Sequence, residues 1–486
     1  MSDSSGRIEC MFDEISPEAL PAADDAAVVG AVEGWARAEA AAAARRLAAI
    51  GELVARRCPA EGDPDLVDAR SRWACDPWDA TAAEVGAALG ISARRASSQM
   101  YLAQSLRERL PKVNALFLAG GIGARLVSTI SWRTHCVVGT AAMAAIDTAI
   151  AEAAGQWGAL SDRRVETVID AAVDAHDPRA REWFREAARG MDVQFGKPDD
   201  ETGTRSLWGR LISTHAELIE RRLTAIARAV CDADPRTVGQ RRAEAMGAVF
   251  AGADRIACRC GSPDCPNPNS AALAASVVIH VVADRSAVDQ VRPQRGRPAA
   301  LMANGGVIPN PLLEQLIRDG AQVVSVELPC EEAEPRYRPS VKLQRFVRCR
   351  DLTCRFPGCD APAEVCDIDH AVAYPLGPTH PSNLRCLCRK HHLLRTFWVG
   401  DDGWSDEQFP DGTIVWTAPT GRTYTTHPGS RLHFPDWDVN TGELLPGDSD
   451  CLPPTNRTLQ MPRRRRTRAA DRARHIKNRR ARNDTS

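Results

Sequence analysis

Residues 354–398 read CRFPGCDAPAEVCDIDHAVAYPLGPTHPSNLRCLCRKHHLLRTFW, and the rest of the chain is best read outward from them. Cys354 and Cys359 form one close pair, and Cys388 with His391 forms a second in the arrangement C-x2-H. Two short-spaced pairs about thirty residues apart suit tetrahedral Zn2+, because each pair can grip the ion from one knuckle. The spacing points to Cys354, Cys359, Cys388 and His391 as ligands of a structural zinc. Cys366 and Cys386 are spare thiols able to replace a member of the set. Buried thiols in an apolar core are the plain alternative, and they account poorly for so many Cys beside so many polar residues. Removal of the zinc is expected to unfold residues 349–400.

Further out, the cysteines are unevenly spread: ten of the 16 lie within 258–388, which favours metal over disulfides in an intracellular chain. Lys+Arg 62 against Asp+Glu 63 leaves a net charge of -1 over 486 residues, which excludes a uniformly basic nucleic-acid coat. The neutral total conceals an asymmetry. Residues 463–482 hold eleven Lys or Arg against Asp471 alone, and the first 25 residues hold seven acids against Arg7. With 44% hydrophobic and 26% charged residues the chain is not wholly disordered. No stretch has the ~18 apolar residues of a membrane span, and MSDSSGRIECMFDEIS lacks the pattern of a secretory leader. The expectation is a soluble, cytoplasmic protein without a membrane partner.

From Ala26 onward, Val28, Val32 and Trp35, then Leu47, Ile50 and Val54, recur at helical spacing in an Ala-rich run. Helical patterns return over 81–109, after Pro111, and over 139–155, 161–175 and 177–190; Ile219, Leu223, Ile226 and Val230 share a further helix face. SVVIHVVAD (276–284) and QVVSVEL (322–328) read as strands, with a short helix between them in PNPLLEQLIRDG. TIVWT and RTYTTH, separated by APTG, read as a hairpin. The fold class is thus multidomain, a mainly α N-terminal region followed by mixed α+β. The expected divisions are an acidic disordered N-terminus over 1–25, a helix-rich domain over 26–330, a knuckle domain over 336–400, a small β appendage over 401–450 and a basic disordered tail over 451–486.

Three further stretches carry candidate chemistry. Cys258, Cys260 and Cys265 in CRCGSPDC form C-x-C-x4-C, the beginning of a possible second zinc site whose fourth ligand the loop does not supply. Residues 81–104 have the shape of a helix-turn-helix, with Arg94, Arg95 and Gln99 facing outward; such hairpins are more often plain packing units. The approach to the knuckles carries Arg345, Arg348, Arg350 and Arg355, which with the basic tail could grip phosphates. A solvated charged face and a solubilising tail are the plain alternatives.

Between the knuckles stand residues that a structural zinc does not require: Asp369-His370, then Asn383, then His392 at the start of HHLLRTFW. This segment resembles the HNH endonuclease family, whose ββα-metal motif places D-H on a first strand, Asn on a second and His on a helix. The family pattern N-L-x-x-L-C-x-x-C-H-x-x-K lies over Asn383, Leu384, Leu387, Cys388, His391, His392 and Arg395. His391 replaces a Cys of that pattern, Arg395 replaces its Lys, and the gap between Cys354 and Cys359 is wider than usual. With the Ala-rich helical region and CRCGSPDC, most of residues 30–440 resemble an actinobacterial repeat family of HNH-domain proteins with an N-terminal domain of unknown function. The resemblance implies a C-terminal zinc-knuckle-framed ββα-metal nuclease domain. It implies His370 as general base, Asn383 orienting it, Asp369 and His392 on a catalytic Mg2+ or other divalent cation, and Arg395 near the phosphate. DNA would be the partner, cut to a 3′-hydroxyl and a 5′-phosphate. A zinc-stabilised nucleic-acid-binding protein with little or no nuclease activity is the alternative, and an interaction protein stapled by zinc is a third reading.

Overall fold

Alanine has the highest helix propensity of the residues, and the Ala-rich run after Asp24 forms α1 (Asp25–Arg57), 33 residues long. Asp24 caps it, its side chain accepting the Ala27 N–H at 2.8 Å. The apolar stripe works only in the second half of α1: Leu47, Ile50 and Val54 are buried, whereas Val32 is exposed. These observations come from a computed structural model. It describes residues 17–58, 69–154, 157, 161–180, 192–199, 204–211, 213–262, 265, 281–283, 285–289, 300–302, 307–318, 321–329, 332–442 and 460–483.

The chain divides into two units, Met1–Trp183 with Val326–Ser486, and Phe184–Ser325. A single domain over 26–330 is therefore not what the chain forms: the second unit is inserted into the first. In the first unit α1 is followed by α2 (Pro77–Leu89), α3 (Ala93–Glu108), α4 (Pro111–Leu118), α5 (Ala124–Arg133), α6 (Thr140–Ala154) and α7 (Asp162–His176). Their facing sides bury Met100, Leu110, Phe117, Ile130, Ile146 and Ile169 in one cluster. Of the helix expected over 177–190, a 3-10 turn at Pro178–Ala180 is seen and the remainder from 181 lies outside the described residues.

The second unit begins with a hairpin that the sequence pattern did not announce, β1 (Asp192–Asp199) antiparallel to β2 (Thr204–Arg210). Helices α8 (Ser213–Arg228) and α9 (Val238–Phe250) follow, the latter opened by a capping box between Thr237 and Gln240. Three short antiparallel strands, β3 (Val281–Ala283), β4 (Ala300–Met302) and β5 (Val307–Ile308), lie in that order, and α10 (Asn310–Arg318) packs Leu313 against Ala300 and Ile308. Of the strand expected over 276–284, residues 281–283 are described; 276–280 and 284 lie outside. QVVSVEL is not a strand: 322–328 run without regular structure, with Val323, Val324 and Leu328 exposed. β-branched composition favours a pleated surface only where a neighbouring strand supplies the ladder.

Back in the first unit come α11 (Val341–Asp351), β6 (Cys366–His370), β7 (Leu384–Cys388), α12 (Arg389–Phe397), β8 (Ser405–Gln408), β9 (Ile414–Thr417) and β10 (Thr423–Thr426). β8, β9 and β10 make an antiparallel sheet with β9 central, one strand more than the expected hairpin. The sheet is not an appendage: Trp404, Ile414 and Trp416 are buried in the same cluster as Phe346, Leu384 and Trp398. The basic tail is not disordered over its described part either. Residues 468–483 form α13 (Arg468–Asn483). Arg464 and Arg468 ion-pair with Asp76 and Asp79, and Arg480 with Asp177. Carboxylates buried as deeply as Asp76 and Asp79 require cationic partners, and the tail supplies them. Among the described residues no helix is long and apolar enough to cross a membrane.

Candidate functional site

β6 and β7 pair antiparallel, with Cys366 opposite Cys388, Asp369 opposite Arg385 and His370 opposite Leu384. Alternation along β6 places Asp367 and Asp369 on one face. β7 leads straight into α12, so Cys388, His391, His392 and Arg395 arrive within about two helical turns beside β6.

The ligand atoms of Cys354, Cys359, Cys388 and His391 all lie within 4.8 Å of one another. His391 Nδ1 is 3.5 Å from the Cys354 sulfur and 3.3 Å from that of Cys388, and the Cys359 and Cys388 sulfurs are 4.0 Å apart. Zinc–sulfur bonds of about 2.3 Å at tetrahedral angles set sulfurs roughly 3.8 Å apart, so the group could hold a metal ion such as zinc with little adjustment. The His391 ring stacks on Phe356 at 4.1 Å, which fixes it with Nδ1 toward the thiols. Hydrogen bonds from the Cys354 and Cys359 thiols hold Cys388 below the ordinary thiol range. Cys366 and Cys386 stand outside the group, their thiols donating to the Pro362 and Val347 carbonyls.

His370 is buried, and its Nε2 lies 2.9 Å from Thr379 Oγ1. Burial lowers its pKa below the ordinary histidine value, against the opposing pull of Asp369. The hydrogen bonds of the Asn383 side chain go to the backbone and not to the His370 ring. Its side chain accepts the Val372 N–H at 2.7 Å and donates to the Val372 and Pro378 carbonyls at 2.9 Å, clamping the loop that follows His370. Any part in holding His370 in its orientation, the role that the resemblance implies, therefore runs through that loop, whose backbone groups the amide satisfies. His392 Nε2 is 3.5 Å from Asp369 Oδ1, and its Nδ1 is 2.8 Å from Asp367 Oδ2. The other Asp369 oxygen accepts from Arg385 at 3.2 Å. Arg395 is tethered, donating to Asp406 at 2.9 Å and to the Ala371 carbonyl, with Asp369 3.7 Å away.

The four cations ahead of the knuckles separate. Arg345 is exposed, whereas Arg348 donates to the Ala363 and Cys366 carbonyls. Arg350 and Arg355 are buried around Asp351, Arg350 also donating to the Pro381 and Leu384 carbonyls. Neither can reach a polyanion, so both leave the phosphate-binding set. Asp351 shares one negative charge between these two buried guanidiniums, and the Pro381, Leu384 and Thr426 carbonyls accept several of their remaining protons.

The helix-turn-helix shape at α2 and α3 has its turn covered. Gly358, at φ +72°, lies so close that a Cβ there would sit 2.7 Å from the Ile91 carbonyl oxygen. Arg94 and Arg95 are exposed and Gln99 is half-buried, and α2 is buried over most of its length. In the second unit, Cys258, Cys260 and Cys265 meet Cys231, a group that could likewise hold a metal ion such as zinc.

Besides Arg385 and Cys231, four residues around these sites escaped the sequence reading. Asp367 was legible in principle, two residues from Asp369 on a strand. Thr379, Asp406 and Tyr337 had no local signal; Tyr337 comes from outside the knuckles and stacks on His370 at 5.2 Å and 13°.

Comparison with known proteins gives the chain its relatives. The family described as "Domain of unknown function (DUF222)" matches residues 35–351, ending where α11 ends and ahead of β6. The uncharacterized protein Rv3776 of Mycobacterium tuberculosis (strain ATCC 25618 / H37Rv) is 53% identical over 486 residues, covering 96% of this chain and 91% of its own. The uncharacterized protein Rv2100 of the same strain is 52% identical over 522 residues, covering 100% of this chain and 93% of its own. No solved structure matches the chain significantly.

Proposed function

The chain belongs to the DUF222 family, and from that premise we propose that it is a metal-dependent endonuclease of the HNH kind, hydrolysing phosphodiester bonds in DNA in the cytoplasm. One observation carries the reading. Asp369 and His392 present an oxygen and a nitrogen 3.5 Å apart, and the other His392 nitrogen is held by Asp367. A metal-binding histidine commonly has its second nitrogen fixed by a carboxylate in this way. The pair fits a divalent cation such as Mg2+, which when bound would polarise the scissile phosphate and stabilise the departing 3′ oxygen.

His370 is the general base. Thr379 engages Nε2, leaving Nδ1 to draw a proton from the attacking water, and burial keeps the ring neutral near pH 7. Asn383 holds the 372–378 loop so that His370 and Thr379 stay in register. Arg395, anchored on Asp406, places a cation beside Asp369 and the incoming phosphate. Arg345 and the exposed cations of α13 supply phosphate contacts outside the reaction centre.

A second reading has its own support: Asp369 is already paired with Arg385, and Tyr337 covers a face of His370. These features suit a zinc-stabilised nucleic-acid-binding protein that does not cut. Supercoiled plasmid incubated with the protein and Mg2+, Mn2+ or Ni2+ separates the two. The nuclease reading requires divalent-dependent nicking that His370→Ala lowers by about 10²- to 10⁴-fold. Equal nicking by the variant overturns the assignment of the base, and retention of DNA without nicking under every metal establishes the second reading.

A further inference from the structure

Among the described residues of the second unit, the helical hairpin of α8 and α9 has only a small apolar core. Around α8 and α9 the buried cluster is Ile226, Val230, Ala245 and Ile256, with Leu223 and Ala248 partly buried against it. The side chains of α8 are mostly exposed. So small a core cannot offset the ordering of a helical hairpin and the loop after it, and small folds of this kind rely on a cross-link or a metal.

The cysteines stand where such a fastening is needed. Cys231 follows α8, and Cys258, Cys260 and Cys265 lie in the loop after α9; their four sulfurs are within 4.8 Å of one another. The Cys231 and Cys258 sulfurs are 3.2 Å apart, far beyond the roughly 2.05 Å of a disulfide and shorter than the roughly 3.8 Å of two sulfurs on one tetrahedral ion, so the pair must part by about half an ångström to admit it. Gly261, at φ +71°, turns the chain between Cys260 and Cys265, and the Ser262 N–H points at the Cys260 sulfur from 3.5 Å.

A second, independent feature braces both cysteine-bearing segments. Asp234, three residues after Cys231, has a fully buried carboxylate that accepts from Arg236 at 2.7 Å and from the Arg259 N–H at 2.9 Å. Arg236 also donates to the Ala257 carbonyl at 2.6 Å. The residues on either side of Cys258 are thereby tied to the turn that carries Cys231. Such outer bonds are what orient the ligands of a metal site.

We infer that Cys231, Cys258, Cys260 and Cys265 bind one structural Zn2+ as a tetrathiolate, a second site made of different residues from the Cys354, Cys359, Cys388 and His391 set. Cys231 is the fourth ligand that the loop sequence lacks. The four thiols release their protons to solvent on binding, and the ion closes the α8–α9 hairpin onto the loop that follows. The inference holds whether or not the chain cuts DNA.

The test uses the full-length protein purified without chelator. Elemental analysis is expected to find two zinc ions per chain, and Cys260→Ser with Cys265→Ser to lower this to one. Cys231→His, which keeps a ligand, is expected to retain two. Because the serine variants risk misfolding, wild-type protein is also treated with iodoacetamide before and after chelation. Cys231, Cys258, Cys260 and Cys265 should resist alkylation until zinc is removed. Cobalt reconstitution should add the sulfur-to-metal charge-transfer bands of an all-thiolate site, absent from the serine variant. Immediate alkylation of these four thiols, a Cys231–Cys258 disulfide, or iron with sulfide in place of zinc would each overturn the inference. Zinc lost from the other set alone would not, because peptide mapping reads the four cysteines directly.

Discussion

Two groups of four ligands sit in this chain in very different surroundings. Cys354, Cys359, Cys388 and His391 are embedded in a large apolar cluster with Phe346, Trp398, Trp404 and Trp416. Beside them runs a buried ion network, Arg350 and Arg355 on Asp351, Arg385 on Asp369 and Asp406. Cys231, Cys258, Cys260 and Cys265 border a core that among the described residues has four buried members. Similar ligand chemistry therefore has different work to do. Where packing is extensive, a metal chiefly fixes the geometry of what it joins; where packing is slight, the metal is much of the reason the segment folds.

The largest expected effect follows from that contrast. Stripping both groups with a strong chelator should raise hydrogen exchange across α8 and α9 to the rate of an unfolded chain. The Cys386 amide on β7, which donates to Asp351 at 2.8 Å, should remain measurably protected. The core argues against the expectation that losing zinc unfolds all of 349–400, and this measurement decides between the two. Equal loss of protection in the two regions would break the comparison.

Next in size is the ion network, which does for the knuckle region what the inferred metal would do for the hairpin. Asp351 is fully buried, and although burial raises its carboxyl pKa, Arg350 and Arg355 outweigh this and hold it below the ordinary value. Asp351→Ala leaves two buried guanidiniums without their anion and should cost about 3–5 kcal/mol in urea unfolding. The pH dependence has a definite sign. A carboxyl with a depressed folded pKa contributes stability that is complete above its unfolded pKa of about 3.9 and is lost as pH falls through the folded value. Wild-type stability should therefore decline at acid pH below 4, and the variant should show a shallower decline. An unchanged acid profile would mean that Asp351 is not the linked group.

How much of this could be read from the sequence depended on distance along the chain. Cys354, Cys359, Cys388 and His391 were legible because knuckle ligands are close neighbours. Cys231 was not, lying 27 residues before Cys258 with a helix between. Counting cations named Arg350 and Arg355 but could not show that Asp351, adjacent to the first, already holds both. Nor could it show that Arg464 and Arg468 answer Asp76 and Asp79, nearly the length of the chain away. Helices were the easiest elements to place, since their period is local. QVVSVEL failed because strand formation depends on a partner that composition does not reveal.

Smaller effects test the site itself. Asp367→Asn should leave the zinc content unchanged while weakening divalent-cation affinity about 10- to 100-fold, because it removes only the group that orients His392. Isothermal titration with Mn2+ reads this directly. Unaltered affinity would reduce Asp367 to a surface partner of Arg389, with which it also pairs.

The smallest effect concerns Tyr337, which is 62% exposed yet stacks one face on the buried His370. Its segment is held in place, the Glu334 N–H donating to the Thr379 carbonyl at 2.9 Å and the Ser340 N–H to the Glu334 carboxylate at 2.6 Å. The ring thus contributes to the desolvation that lowers the His370 pKa. In zinc-loaded protein without added divalent cation, NMR titration should place the His370 midpoint below the ordinary 6.5, and Tyr337→Ala should move it upward as water reaches the imidazole. The buried neutral ring also links to stability: below pH 6.5 the unfolded chain binds the extra proton more readily, so wild-type stability falls there and the variant loses less. A midpoint that stays put or moves down in Tyr337→Ala would show that the stack shields nothing, and that the depth of the loop clamped by Asn383 sets the basicity of His370.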